Sequence, residues 1–334
     1  MTVLAIDVAP NSQPLVATDG QQFSGSIVAR VSTSDAEWRA LMDAAPVGHM
    51  PQDLSYAAGK AASGWPSRRL VFYAGQQPVA FAVVLEFRRL GIKLLHRVNR
   101  GPVLLDVAPS DELVLGVYRA LRRTVGRLWT TPLLIAPALE KTERSAALLR
   151  EAGYIRREAD SWRSGRIDLR PDEHQIWMGF ASTFRNRLRK AERAGAELRI
   201  ADDAATYQWM IARHVENMRD KQFRAAGPGL LNALREAEPG NMLVFQLLHG
   251  GAAVAAMSVL RFGRTAEYHV GWFGPEGRAI NAGNLLMWSV VCEMKRRGVT
   301  SFDLGGLRIG DGYTQFKRTM RPAEYELAGE WISI

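Results

Sequence analysis

The sequence predicts an α/β protein made of two tandem modules, each with a mixed central sheet. A recurring hairpin is the first sign. Leu70-Val71-Phe72, Gly75 and the apolar run Val79 to Leu85 are echoed by Leu243-Val244-Phe245, Gly250 and the run Val254 to Leu260. In both copies the second strand is continuously apolar, the pattern of a strand buried on both faces. The order of elements around the hairpin also repeats, and 334 residues is a length for about two domains.

Read in order, residues 1–26 form a loose, polar N-terminal arm, and the first module spans residues 27–170. It opens with a strand at Ile27 to Val31. Ser34 and Glu37 have the spacing of a capping box and start a helix through Met42. A second helix covers Asp53 to Ala62. Strands at Arg69 to Ala74 and Val79 to Phe87 follow, and another reaches Gly101 to Leu105. Ser110 caps a helix through Leu128, Leu133 to Ala136 is a buried strand, and Thr142 starts a helix closed by Gly153. Strands then lead to Leu169.

The second module spans residues 171–334. One long helix is expected from Asp172 to Ala194, then a strand at Glu197 to Ile200 and helices at Ala204 to Asp220 and Pro228 to Glu236. The hairpin Met242 to Leu248 and Ala252 to Arg261 turns across Gly250-Gly251. The strand Ala266 to Phe273, the helix Ala282 to Arg297 and the strand Thr300 to Leu304 complete it.

The composition is that of an ordinary globular chain, 47% apolar and 23% charged. No apolar run approaches the roughly 20 residues that span a bilayer. The first residues carry neither a basic nor an apolar leader region, and Cys292 is the sole cysteine, so the cytoplasm is the expected compartment. A net charge of +9 favours polyanionic partners: nucleic acid, phosphorylated metabolites or, by peripheral contact, the inner face of a membrane. The histidines lack metal-ligand spacing, and no metal or bound cofactor is expected. No P-loop, dinucleotide-binding fingerprint or Ser-His-Asp set is present.

Three segments carry a family resemblance. Gln52 to Lys60, with Tyr56 between and Gly64-Trp65-Pro66 after, is the first. Asn99-Arg100-Gly101-Pro102-Val103 is the second. The third is Phe302-Asp303-Leu304-Gly305-Gly306 followed by Asp311-Gly312-Tyr313-Thr314-Gln315-Phe316-Lys317-Arg318. Together they resemble the FemABX family of aminoacyl-tRNA-dependent peptidoglycan aminoacyltransferases, without the helical arm some members have. The element order is that of the GNAT acyltransferase fold, so the resemblance implies two tandem GNAT-like modules with mixed central sheets.

The resemblance implies an acceptor side in the first module and an aminoacyl donor side in the second. Lys60 matches a lysine that contacts acceptor phosphates, with Gln52, Tyr56 and Trp65 in the same segment. A lysine is a compact charge suited to phosphate, although a solvated helix lysine looks the same in sequence. Phe316 and Lys317 match a Phe-Lys pair near the donor, in a loop after the strand ending at Asp303. There Lys317 would face the oxyanion or hold a terminal phosphate. Gly305 and Gly306 would let a ligand approach, and Asp303 would act as base or as a hydrogen-bonding support. The implied partners are aminoacyl-tRNA and a UDP-linked or lipid-linked muropeptide, or another amine acceptor.

Two further features come from the residues alone. Arg185, Arg189 and Arg193 recur every four residues, a stripe able to track phosphates or simply a solvated face. Tyr268 is a candidate wall of the site or a packed strand aromatic. Where a GNAT module holds acyl-CoA pyrophosphate on a Gly-rich turn, this chain reads Arg278-Ala279-Ile280-Asn281-Ala282-Gly283, with Asn281 in place of a glycine. An acyl-CoA-dependent N-acyltransferase and a non-catalytic basic module for RNA or a membrane surface therefore stay open beside the aminoacyltransferase.

Overall fold

The computed structural model describes residues 26–125, 131–220, 222, 225–308, 310 and 312–333. The expected arm at residues 1–26 lies outside them apart from Ser26, as does the end of the helix expected to reach Leu128.

In the first half the strands and helices run β1 (Ile27–Ser32), α1 (Asp35–Ala44), α2 (Leu54–Ala62), β2 (Ser67–Ala74), β3 (Gln77–Arg89), β4 (Ile92–Asn99), β5 (Val103–Leu104), α3 (Asp111–Val125), β6 (Leu133–Ala136), α4 (Glu143–Glu151), β7 (Ile155–Arg157) and β8 (Arg163–Asp168). The second half runs α5 (Glu173–Gly179), α6 (Ser182–Glu192), β9 (Glu197–Ala201), α7 (Ala204–Asp220), α8 (Pro228–Ala237), β10 (Met242–His249), β11 (Ala252–Phe262), β12 (Thr265–Phe273), α9 (Pro275–Ala279), α10 (Ala282–Arg296), β13 (Ser301–Asp303), α11 (Gly312–Arg318), β14 (Ala323–Glu326) and β15 (Glu330–Ser333).

Local chemistry places most of these ends. Ser34 accepts from the Glu37 amide, Asp53 from Ser55, Thr142 from Ser145 and Asp172 from Gln175, each at a helix start. The Glu37 carboxylate does not close the expected capping box: it takes hydroxyls from Ser32 and Tyr73 instead. The single helix expected over Asp172 to Ala194 is two helices. Phe180 is extended (ψ 153°), and its ring is buried against Phe184 and Trp288. Core packing at this aromatic outweighs helical continuation.

The first sheet has the order β1-β2-β3-β4-β6-β15-β7, with β5 also on β3. The second has the order β14-β8-β13-β12-β11-β10-β9. In each, the fourth strand of the antiparallel run (β4, β12) pairs in parallel with the next (β6, β13). The repeat seen in sequence is thus a repeat of topology. The sheets nevertheless do not follow a cut at residue 170. β8, before that boundary, pairs with β13 and β14 in the second sheet, while β15 sits between β6 and β7 in the first.

Each sheet has its own core, and a third core joins them. Trp38, Tyr56 and Phe81 of the first half pack with Tyr207, Leu231 and Phe262 of the second. Here α2 lies close against α8, and a Cβ on Gly59 would come within 2.8 Å of the Leu230 side chain. This shared core fixes the spacing of the two modules.

Candidate functional site

Two cavities open where the modules meet. One, of about 820 Å³, is lined by second-half residues; the other, of about 990 Å³, is lined mainly by the first half. Gly306 and Arg308 line both.

The turn between the cavities is built from below. Asp303, buried at the end of β13, accepts the Gly305 amide at 2.9 Å, the Tyr325 hydroxyl at 2.6 Å and the Ser164 hydroxyl. Gly305 has φ +67°, and a Cβ there would stand 2.7 Å from the Tyr268 carbonyl, so this close approach requires glycine. Lys317, from α11, is only 3% exposed. Its ammonium donates to the carbonyls of Gly305 at 3.2 Å and Gly306 at 3.1 Å. It lies between the rings of Tyr268 and Tyr313, at 5.0 and 4.9 Å. The turn and the lysine hold each other.

The second-half cavity has an aromatic side and an electropositive side. Tyr313 stacks on Phe316 at 5.6 Å and lies 5.9 Å from Phe273. Against these rings stands the start of α10, where a Cβ on Gly283 would come 3.4 Å from Phe316, and where Asn281 is left-handed (φ 60°, ψ 36°) and offers no side-chain cap. Asparagine thus supplies the backbone shape that glycine usually supplies. First-turn amides carry the positive end of the helix dipole and suit an anion. Arg187, Arg278, Arg308 and Lys317 line this cavity, and among the described residues no carboxylate does. His269 enters it because β12 carries a bulge against β11. Burial, then His214 and Arg100, hold its pKa down at about 4, so it is neutral near pH 7.

The first-half cavity mixes charges. Lys60, Arg97, Arg100, Arg163 and Arg308 line it together with Asp160 and Glu330. Lys60 sits 5.5 Å from the Tyr56 ring, and burial, then the charge of Arg97, lowers its pKa. Arg97 joins Asn99 at 2.6 Å, and Asn99 joins the Tyr56 hydroxyl at 3.3 Å. At its inner end Arg100 forms a buried pair with Glu267 of β12 at 2.8 Å. The Trp162 ring covers the Arg100 guanidinium at 4.4 Å and abuts Gly306. Burial pushes the Glu267 carboxyl up, against the pull of Arg100.

With this geometry in place, known proteins can be compared. Residues 179–318 match the family model described as the acetyltransferase (GNAT) domain. The whole chain is similar to the crystal structure of FemX, with a TM-score of 0.77 and 14% identity over 92% of this chain and 97% of that one. The chain carries the tandem GNAT fold. A tandem GNAT protein from the clavulanic acid biosynthesis pathway matches at TM-score 0.52 and 14% identity over 92% and 98%. L-PGS from Bacillus licheniformis matches at 0.50 and 13% over 90% and 91%. The search of curated proteins gives no match. The fold read from the sequence is therefore the observed one, and its second module is a domain of acyltransferase type.

Within the tandem GNAT fold the expected site residues divide. Lys60, Tyr56 and Trp65 line the first-half cavity, Tyr268, Phe316 and Lys317 line the other, and Gly306 lines both. Phe316 and Lys317 lie on the helix α11, not in a loop. Gly305 and Asp303 lie beneath the turn and line neither cavity.

Three residues expected to bind substrate stand elsewhere. The Gln52 side chain is fully buried, donating to the Asn99 carbonyl and accepting the Val83 amide, both at 2.6 Å. Its polar groups are used up inside the fold. Arg185 donates to the carbonyls of Met178 and Phe180, closing the end of α5, and Arg189 turns to Asn186 and the Trp177 ring. The neighbouring Arg187 is the one that reaches a cavity. Sequence reasoning passed over Arg97, Trp162, His269 and Arg308. Arg308, two residues after Gly306, Arg97, two before Asn99, and His269, next to Tyr268, had a signal in their positions, and Trp162 had none.

Proposed function

We propose that the chain transfers an aminoacyl group from aminoacyl-tRNA to a primary amine, that of a peptidoglycan precursor peptide carried on a UDP or lipid. The observation that carries this reading is the meeting of two large cavities at one turn with Lys317 buried beside it. The second-half cavity, lined by four cations and, among the described residues, by no carboxylate, suits a polyanionic donor, whose terminal base has an aromatic wall to stack on. The mixed cavity suits an acceptor with both phosphate and amine, cations taking the first and Asp160 or Glu330 the second.

In the reaction, the acceptor nitrogen forms a bond to the ester carbonyl and the carbonyl oxygen takes up negative charge. The Lys317 ammonium stabilises that charge. The carbon–oxygen bond to the ribose then breaks, and the proton lost by the amine ends on the ribose oxygen. The ester is already activated, so no enzyme nucleophile is required.

One observation favours a second donor. The left-handed Asn281 keeps the α10 entrance in a form that would also take a pyrophosphate, as in acyl-CoA. A turnover screen decides between them, with charged tRNAs and acyl-CoAs as donors and UDP-linked muropeptide as acceptor. New amide from charged tRNA supports the proposal, and release of CoA thiol replaces its donor. Salt-sensitive RNA binding without turnover of either donor overturns it in favour of a binding module.

A further inference from the structure

The turn between β3 and β4 presents Leu90, which is 94% exposed, and Ile92, which is 65% exposed. The turn itself does not ask for leucine. Leu90 has φ +50° and Gly91 φ +78°, a backbone that asparagine and glycine adopt more readily. An apolar side chain kept there against both hydration and turn geometry points to a contact outside the chain.

The surroundings of the tip are cationic. The nearly buried Glu86 carboxylate holds Arg68 at 3.0 Å, Arg88 at 2.6 Å and Lys93 at 3.0 Å. Exposed Arg89 adds another charge beside Leu90. Four cations against one carboxylate leave a local excess of three positive charges, with their repulsion relieved by Glu86. The other end of the same hairpin reaches the first-half cavity. Leu85 and Arg97, paired across β3 and β4, both line it, and so does Trp65, whose ring packs on Phe87 at 4.8 Å.

We propose that the β3–β4 tip is a membrane-docking finger: Leu90 and Ile92 enter an anionic bilayer surface while Arg68, Arg88, Arg89 and Lys93 meet the lipid headgroups. Apolar insertion combined with basic residues at the same depth is the chemistry of peripheral attachment to such a surface. A folded protein partner would need a shaped face of about 800 Å². A two-strand tip with two apolar side chains does not supply one, whereas a bilayer requires no matching shape. This inference goes beyond the transfer reaction proposed above and depends on neither its donor nor its acceptor.

The test is co-sedimentation of the full chain with vesicles, without substrates. The chain is expected to bind phosphatidylcholine vesicles containing phosphatidylglycerol, to lose binding as salt rises, and to leave pure phosphatidylcholine vesicles unbound. Leu90→Asp with Ile92→Asp should lower the partition at least about tenfold, and Arg89→Gln about fivefold. Hydrogen exchange on the unaltered chain should show new protection of residues 87–95 when the anionic vesicles are added. Failure to bind the anionic vesicles, undiminished binding by the folded double variant, or protection confined to other residues overturns the proposal. So does a double variant that changes only the sedimentation of the chain by itself, which would make the tip a contact between copies.

Discussion

The two modules share a topology and differ in what surrounds their openings. In the second, a bulged β12, the left-handed Asn281 and the start of α10 make a cavity with four cations and, among the described residues, no carboxylate. In the first, the place before α3 has no such turn, and the opening lies between α2 and the β3–β4 hairpin, with both signs of charge. One duplicated fold has therefore produced two unlike cavities. What joins them is small: Gly306, Arg308 and the Arg100–Glu267 pair beneath. The comparison teaches that charge sign and helix exposure, more than strand order, separate the roles of the halves.

The largest expected effect falls on the joint. Arg100→Met leaves the Glu267 carboxylate buried without its partner, which should cost about 3–5 kcal/mol of stability in urea unfolding. Adding Glu267→Leu should recover much of that loss. A single variant as stable as the parent would show that the halves do not depend on this pair.

Next in size is a break inside the second-half cavity. Lys317→Met should lower kcat by about 100- to 1000-fold, the effect of losing a preorganised oxyanion stabiliser, with the acceptor KM unchanged. A normal single-turnover rate would remove Lys317 from the chemical step. Lys60→Ala should act on the other side, raising the acceptor KM by about ten- to a hundredfold through the loss of a charged hydrogen bond. An equal rise in the donor KM would erase the proposed division between cavities.

The smallest effect sharpens a contrast within one helix. Arg187→Gln should lower the salt slope of tRNA affinity by about one, while Arg185→Gln should leave it unchanged. Filter binding across a salt series separates the two. Equal loss of slope in both would return the whole arginine stripe to the interface.

Much of the fold was legible because it is written locally. The apolar runs of β3 and β11 and the caps Ser34, Asp53 and Thr142 mark their own elements. The break at Phe180 was not, since nothing in Gly179-Phe180-Ala181 forbids a helix and only the buried ring explains the turn. The candidate site was legible only as far as motifs named side chains that line a cavity, as for Lys60 and Lys317, whose roles are proposals. It misled at Gln52, where a polar residue inside a matched segment serves the backbone of Asn99 and Val83. The stripe Arg185-Arg189 misled differently. Periodicity gives the face of a helix, and the chain ends that Arg185 closes are set by tertiary structure. Trp162 and Arg100 belong together only because β8 crosses into the second sheet, and no local pattern announces a pairing so distant in the chain.

The return of β15 to the first sheet sets an order on assembly. Among the described residues β6 and β7 are joined through β15, residues 330–333, which leave the ribosome after nearly all of the second module. Until then the N-terminal sheet has two open strand edges, the kind of surface that invites mispairing and chaperone capture. The first sheet is therefore completed only once β15 has arrived. A chain truncated just short of Glu330 should remain protease-sensitive across β6 and β7, and the full chain should be protected there.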